Sequence, residues 1–216
     1  MTNDARSMEK LDLTLLEERV GFQGFFRVDI LDYRHTLFQG GWTPPIEREV
    51  FGRGQAVVVL LFDLEKECAV LVEQCRAGAV KHALAENQPE KAWLLEPVAG
   101  MIDAGETPEQ ACQREVREEA GIVVEPDRFQ KVVSYYPSPG GCDEILHVYA
   151  VEIDSDLLPE YAGLTNEVED IRLVKHTFSE VQQGLASGRY NVSSTLIALQ
   201  WLVYQYLPAF SPQKER

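Results

Sequence analysis

The stretch Gly100–Ile122 reads GMIDAGETPEQACQREVREEAGI. Its second half carries the punctuation of a helix. Thr107 is a good N-cap, Pro108 suits the first helical position, and Gln110 completes a Thr-x-x-Gln capping box. Gly121 supplies a residue that can turn left-handed just past the end. The pattern predicts a helix from Pro108 to Ala120, roughly three to four turns long. On it Glu115, Glu118 and Glu119 fall at i, i+3 and i+4 and share one face, while Cys112, Val116 and Ala120 form a neighbouring stripe able to pack on a core. Like charges grouped this way cost helix stability, about 0.2–0.5 kcal/mol per pair. Three convergent carboxylates offer what a hard divalent cation such as Mg²⁺ or Mn²⁺ needs, although most Glu-rich helix faces are simply solvated.

The spacing sets this face apart. Gly100, Glu106, Arg114-Glu115-Val116, Glu118-Glu119 and Gly121-Ile122 put nine constrained positions into 23 residues. This resembles the Nudix box, the loop–helix–loop signature of Nudix hydrolases, which cleave a nucleoside diphosphate linked to another group. The resemblance implies that Glu115 and Glu119 are the central metal ligands and that Glu118 is a further ligand or supports one. It also implies that Arg114 orients the carboxylates by ion pairing.

Composition frames what the box can serve. A chain of 216 residues with 45% hydrophobic and 25% charged residues suits one globular domain with a small appendage. The net charge of −15 argues against a nucleic-acid partner, which calls for a basic footprint. The same charge would repel a phosphorylated substrate, so cations in the site and a few placed arginines must offset it locally. No apolar run approaches a membrane span, and the start MTNDARSMEK lacks a signal-peptide core. Cys68, Cys75, Cys112 and Cys142 show no framework spacing and read as reduced thiols of a cytoplasmic protein.

Working outward from the box, Trp93–Val98 reads as one strand feeding directly into it. Before that come strands at Gln55–Phe62 and Cys68–Gln74, then a polar loop over residues 81–91. After the box, strands are expected at Phe129–Tyr136, Ile145–Ile153 and Ile171–Val174. The loop Pro137–Gly141 separates the first two, and a polar loop, Asp154–Glu169, precedes the third. Helices follow at about 178–187 and 193–207, the last amphipathic through Leu196, Leu199, Trp201, Leu202 and Tyr206. Asn191-Val192-Ser193 matches a glycosylation sequon but reads as that helix's start. Ahead of all this lie a short strand in the leucine cluster Leu11–Leu16, a β-rich run Phe25–Phe38 broken at Gly40-Gly41, and Glu47–Phe51. The fold class is α/β: a Nudix α/β/α sandwich with a mixed sheet (residues 54–216), preceded by a small antiparallel sheet (1–53). That small sheet cannot bury both its faces, which points to a homodimer packed through it.

Features outside the box resemble one subgroup, the bacterial ADP-ribose pyrophosphatases. Pro137 and Pro139 lie in a Ser-Pro-Gly-Gly loop downstream of the box. Gly24-Phe25-Phe26, Glu73-Gln74-Cys75-Arg76 and the segment Gly163–Arg172 match as well. The resemblance spans about residues 20–207 and implies hydrolysis of the pyrophosphate of ADP-ribose to AMP and ribose 5-phosphate, with two or three Mg²⁺ ions. It assigns the metal ions to Glu115, Glu119, Glu169 and the backbone carbonyl of Ala99. Glu167 becomes the general base, with Glu118 as the next candidate. Phe25 or Phe26 would stack on adenine, and Arg48, Arg53 and Arg76 would hold phosphate or ribose. Met101, Pro139, Gly140, Gly141 and Glu144 complete the substrate-binding set. One departure stands out: Glu47 precedes Arg48 where the subgroup often has a second arginine. Two other readings fit the box, a pyrophosphatase for another nucleoside diphosphate sugar such as GDP-mannose and a non-catalytic nucleotide-sugar sensor. The retained box carboxylates speak against the sensor.

Overall fold

The structure, a computed structural model, describes residues 11–164 and 168–207. These fall into two compact units, one running through Gly54 and including Tyr136–Glu144, the other comprising Gln55–Tyr135 and the chain from Ile145 onward.

In the first unit β1 (Leu13–Gln23), β2 (Arg27–His35) and β3 (Ile46–Gly52) form an antiparallel sheet in that order. The strand expected around Leu11–Leu16 is thus much longer. It continues through Val20 and Phe22, past two register shifts that charged residues between the apolar ones had obscured. Its apolar side chains Leu13, Leu15, Val20 and Phe22 are exposed. The Pro137–Gly141 loop joins this unit by extending the end of β3. The Phe51 N–H donates to the Gly141 carbonyl (2.8 Å), and the Phe51 carbonyl accepts from the Asp143 N–H (3.2 Å). The Asp143 carboxylate then accepts from the backbone N–H groups of Arg53 (2.6 Å) and Gly54 (3.0 Å).

The second unit is an α/β/α sandwich. Its strands are β4 (Gln55–Asp63), β5 (Cys68–Cys75), β6 (Trp93–Glu96), β7 (Val98–Met101), β8 (Gln130–Tyr135), β9 (Ile145–Glu152), β10 (Tyr161–Ala162) and β11 (Ile171–Thr177). The sheet order is β10-β11-β5-β4-β9-β8, with β6 paired to β5 and β7 to β4. Among the described residues only the β4–β9 pair of this sheet is parallel, so the sheet is mixed. Strand alternation sends Val57, Val59 and Leu61 to one face, against Ala111, Cys112, Val116 and Ala120 of α2 (Pro108–Ala120). Val58, Leu60 and Phe62 face the other way, toward α3 (Phe178–Ser187) and α4 (Ser193–Tyr206). The first helix, α1 (Ala77–Ala85), follows β5.

Helices α2 and α3 start and stop by the same chemistry. Each opens with a reciprocal capping box, Thr107 with Gln110 and Thr177 with Glu180. Each ends on a left-handed glycine, Gly121 (φ 70°) and Gly188 (φ 75°).

Several expectations need correction. Residues 81–91 are not a loop: α1 runs to Ala85 and a 3-10 turn spans Pro89–Ala92. Alanine supplies the helix propensity there, which the charges and proline masked. The Trp93–Val98 strand is two strands. Pro97 has no N–H to give a ladder, so the chain leaves β5 at Glu96 and resumes against β4 at Val98. The Asp154–Glu169 segment contains a 3-10 turn (Ser155–Leu157) and β10. In α4 the buried stripe is Thr195, Ala198, Leu199, Leu202 and Val203, with Leu196, Trp201 and Tyr206 half-buried beside it. Gln200, Tyr204 and Gln205 stay exposed, so the helix keeps one solvent face while the rest of it packs.

The β4–β5 turn is held by a buried carboxylate. Asp63 accepts from the N–H groups of Ser155 (2.9 Å) and Lys66 (3.0 Å). Burial disfavours its charge, but these donors prevail and hold it well below the usual carboxylate range. A depressed carboxyl contributes stability that is present above its unfolded pKa and lost as pH falls toward the folded one. Asp63→Asn should therefore lower the melting temperature at neutral pH, and the gap to wild type should narrow as pH drops below about 4. A gap that stays constant with pH would show that the charge is not what matters.

Candidate active site

The helix α2 lies over β7, and two of its carboxylates are buried there. Glu115 is 8% exposed and Glu119 2%. The Glu119 carboxylate accepts the Ala99 N–H at 3.0 Å. Glu115 sits so close above Gly100 that a Cβ at that position would lie 1.7 Å from its Oε1. This is why the box begins with glycine: the strand backbone must come up under a carboxylate. Gly100→Ala is expected to drive Glu115 out of place and cost most of the divalent-cation affinity while leaving circular dichroism intact. Titration calorimetry with Mn²⁺ checks this, and unchanged affinity would contradict it.

Arg114 organises the face. Its Nε and Nη2 donate to the two Glu106 oxygens (3.1 and 2.9 Å), and Nη2 also reaches the Met101 carbonyl (2.8 Å). Its Nη1 pairs with Glu115 and, at 3.4 Å, with Glu118. The Arg114 guanidinium bond holds Glu106 below its ordinary pKa. Glu115 shifts the other way, because burial outweighs the Arg114 ion pair and Glu118 and Glu169 add repulsion. Burial pushes Glu119 up to about 8, with the Ala99 N–H opposing and Glu115 adding to the shift.

Glu169 comes from the other side. Gly163 (φ +100°) leaves no room for a Cβ, which would meet the Glu169 carbonyl at 2.8 Å. The Gly163 N–H donates to the Glu118 carbonyl (3.3 Å), and the Leu164 N–H donates to the Glu169 carboxylate (3.3 Å). These bonds tie the segment carrying Glu169 to the end of α2. Its charge registers at both Glu115 and Glu119. Arg76 closes the group: its Nε donates to Glu96 at 2.5 Å. Burial opposes its charge, but Glu96, then Glu119 and Glu169, keep it firmly cationic.

The donors are all oxygen, which suits a hard cation. Among the described residues no group of three acidic, histidine or cysteine side chains already converges closely enough to hold one. Arg114 engages Glu115 through one oxygen and the Ala99 N–H engages Glu119 through one, so each carboxylate keeps a second oxygen for an ion.

A comparison of the whole chain with known families decides the class. The NUDIX domain profile matches residues 52–196. The chain belongs to the NUDIX domain family. Among curated relatives, this Nudix chain is 34% identical over 204 residues to an ADP-ribose pyrophosphatase of Haemophilus influenzae, covering 94% of this chain and 92% of that protein. It is 37% identical over 193 residues to an ADP-ribose pyrophosphatase of Escherichia coli, covering 89% and 88%. A GDP-mannose pyrophosphatase of Yersinia pestis is 32% identical over 169 residues, covering 77% and 80%. The fold also matches the crystal structure of an ADP compounds hydrolase, with a TM-score of 0.64 and 18% identity over 92% of this chain and 95% of that one.

The sequence-predicted residues of the Nudix chain fall into two sets. Ala99, Met101, Glu115, Glu118, Glu119, Glu169 and Arg76 belong to the sandwich unit. Phe25, Phe26, Arg48, Arg53, Pro139, Gly140, Gly141 and Glu144 belong to the other. There Phe26 packs edge-on against Phe25 and Phe51 (centroids 4.9 and 5.0 Å), and the Arg53 guanidinium lies 5.0 Å from the Phe26 ring. Arg53 Nε donates to Glu144 (3.1 Å), and Arg48 Nη1 donates to the Glu47 carbonyl (2.7 Å). Phe25 is 96% exposed. Pro139, Gly140 and Gly141 are exposed, and a Cβ at either glycine would meet open space. Glu167 lies outside the described residues. Glu106 and Glu96 had been given no role, yet they anchor the two arginines. Glu96 carried a signal, as the lone charge in the apolar run WLLEPV.

Proposed function

We infer that this Nudix chain is an ADP-ribose pyrophosphatase, yielding AMP and ribose 5-phosphate. The observation that carries the reading is similarity to enzymes of that name over about nine-tenths of both chains. The box is also intact above a buried carboxylate pair. Bound Mg²⁺, two or three ions with Mn²⁺ as a substitute, would neutralise the pyrophosphate and acidify a water. Glu115, Glu119, Glu169 and the Ala99 carbonyl would hold them. Arg114 keeps Glu115 and Glu118 oriented, and Arg76, fixed by Glu96, presents a cation to phosphate. Phe25 or Phe26 would stack on the base, with Arg48, Arg53, Met101, Pro139, Gly140, Gly141 and Glu144 completing the substrate contacts. Glu167 takes the proton as water oxygen bonds to one phosphorus and the bridging P–O bond breaks.

Incubation with ADP-ribose and Mg²⁺ should give AMP and ribose 5-phosphate in equal amounts by chromatography. Intact ADP-ribose, alongside cleaved GDP-mannose, would sink the reading in favour of the other relatives' activity. The exposed leucines, Val20 and Phe22 of β1 fit a second copy of the chain, so sedimentation should return a homodimer. A monomer at micromolar concentration would count against it. All four cysteines are free, and no helix among the described residues is long and apolar enough to cross a membrane. Both facts fit the expected cytoplasmic setting.

A further inference from the structure

Two buried side-chain atoms among the described residues have no hydrogen-bond partner, His176 Nε2 and Gln74 Oε1. Each such atom calls for an explanation. The His176 ring is 2% exposed, packs edge-on against Tyr190 and makes its other contact to the Tyr190 hydroxyl (3.2 Å). It lies on the α3–α4 side of the sheet, away from the carboxylates, and belongs to the packing.

Gln74 is placed differently. On β5 the side chains of Val70 and Val72 enter the core beneath α2, so alternation sends Gln74 to that same face. Arg76 is still extended (φ −103°, ψ 121°), so the next side chain on this face is the Arg76 guanidinium. Across the ladder Gln74 stands beside Leu94 and Val72 beside Glu96, the partner of Arg76. Gln74 therefore sits at the border where the apolar core gives way to the group formed by Arg76, Glu96 and Glu119. Its residue is only partly buried, yet its carbonyl oxygen is withdrawn from solvent and unpaired. Such a buried acceptor is destabilising in the free protein. A phosphate oxygen would not relieve it, since a phosphate diester only accepts. A hydroxyl can donate to Oε1, and one of a vicinal pair can also accept from the amide N–H₂.

We propose that Gln74 is a substrate-binding residue whose amide takes a vicinal diol of a substrate ribose. This rests on the reading of the chain as a nucleoside diphosphate sugar pyrophosphatase, but not on which member it prefers, because every such substrate carries a ribose diol.

The test is Gln74→Met, which keeps the length of the side chain and removes the amide. The melting temperature of the variant without substrate should equal or exceed that of wild type. KM should rise about tenfold for whichever nucleoside diphosphate sugar the wild type cleaves, the loss of about one hydrogen bond. The Mn²⁺ dissociation constant should stay within twofold. Competition by AMP and by ribose 5-phosphate then locates the diol: the product whose inhibition weakens in the variant carries it. A melting temperature several degrees lower would overturn the proposal, because the amide would already be satisfied in the free protein. So would weakened Mn²⁺ binding with unchanged KM, which would make the donor a metal-bound water. An unchanged KM with unchanged metal binding would leave Gln74 a packing residue only, and the proposal would fall. Absence of any pyrophosphatase activity in the wild type defeats the parent reading instead, and binding of AMP and of ribose 5-phosphate to wild type and variant then still decides the role of Gln74: weaker binding of either by the variant supports it, and unchanged binding of both overturns it.

Discussion

Glu119→Gln is expected to abolish most Mg²⁺-dependent turnover, about 10³-fold, because a metal's electrostatic contribution of several kcal/mol is lost at roughly tenfold per 1.4 kcal/mol. The fold should survive and even gain. Glu119 is almost fully buried and pushed up to about 8, with burial the largest cause. A carboxyl whose folded pKa is raised loses stability as pH climbs from its unfolded value toward the folded one. The neutral amide escapes that loss and can still accept the Ala99 N–H through its oxygen. In EDTA at pH 8 the variant should therefore melt above wild type. With Mg²⁺ the order should reverse, since only wild type gains the binding stabilisation of about 2.7 kcal/mol at a hundredfold excess over Kd. Full activity of the variant at saturating Mg²⁺ would remove the α2 carboxylates from the mechanism.

The second large effect separates base from ligand on the segment before β11. With Glu167 as proton acceptor, Glu167→Gln should lower kcat about 10²–10⁴-fold while substrate and metal affinity stay near wild type. Glu169→Gln should instead raise the Mg²⁺ concentration for half activity, because it removes charge felt at both Glu115 and Glu119. One magnesium titration of both variants distinguishes them. Rescue of Glu167→Gln by excess Mg²⁺, with none for Glu169→Gln, would exchange the roles. Loss of only a few-fold in both would shift attention to Glu118.

What the sequence made legible was local chemistry. Thr107, Gln110 and Gly121 bound α2 through side-chain and backbone preferences that act within a few residues, so the helix and its carboxylate face could be placed from the text alone. The two-sided burial of β4 was equally plain in QAVVVLLF. What failed depended on contacts distant in sequence. Nothing near Glu106 announces that it will clamp Arg114, because the first two turns of α2 must form before the two residues meet. The switch of partner at Pro97 was written in the proline itself, yet its meaning needs both β4 and β5 in place. Helix α1 was missed because its few polar residues resemble loop composition, while its alanines bury little and leave a faint period. The grouping of Tyr136–Glu144 with β3 rests on Asp143 reaching Arg53 and Gly54, a pairing no local pattern encodes. Gly100 lies between these extremes: its identity was part of the motif, and only the closeness of Glu115 explains it.

Substrate choice is read from catalytic efficiency across a panel of nucleoside diphosphate sugars. The purified protein with Mg²⁺ would be given ADP-ribose, GDP-mannose and ADP-glucose, and kcat/KM compared under one set of conditions. ADP-ribose should give the highest value, by tenfold or more, a difference of about 1.4 kcal/mol in transition-state stabilisation. A higher value for GDP-mannose, or equal values for all three, would contradict it.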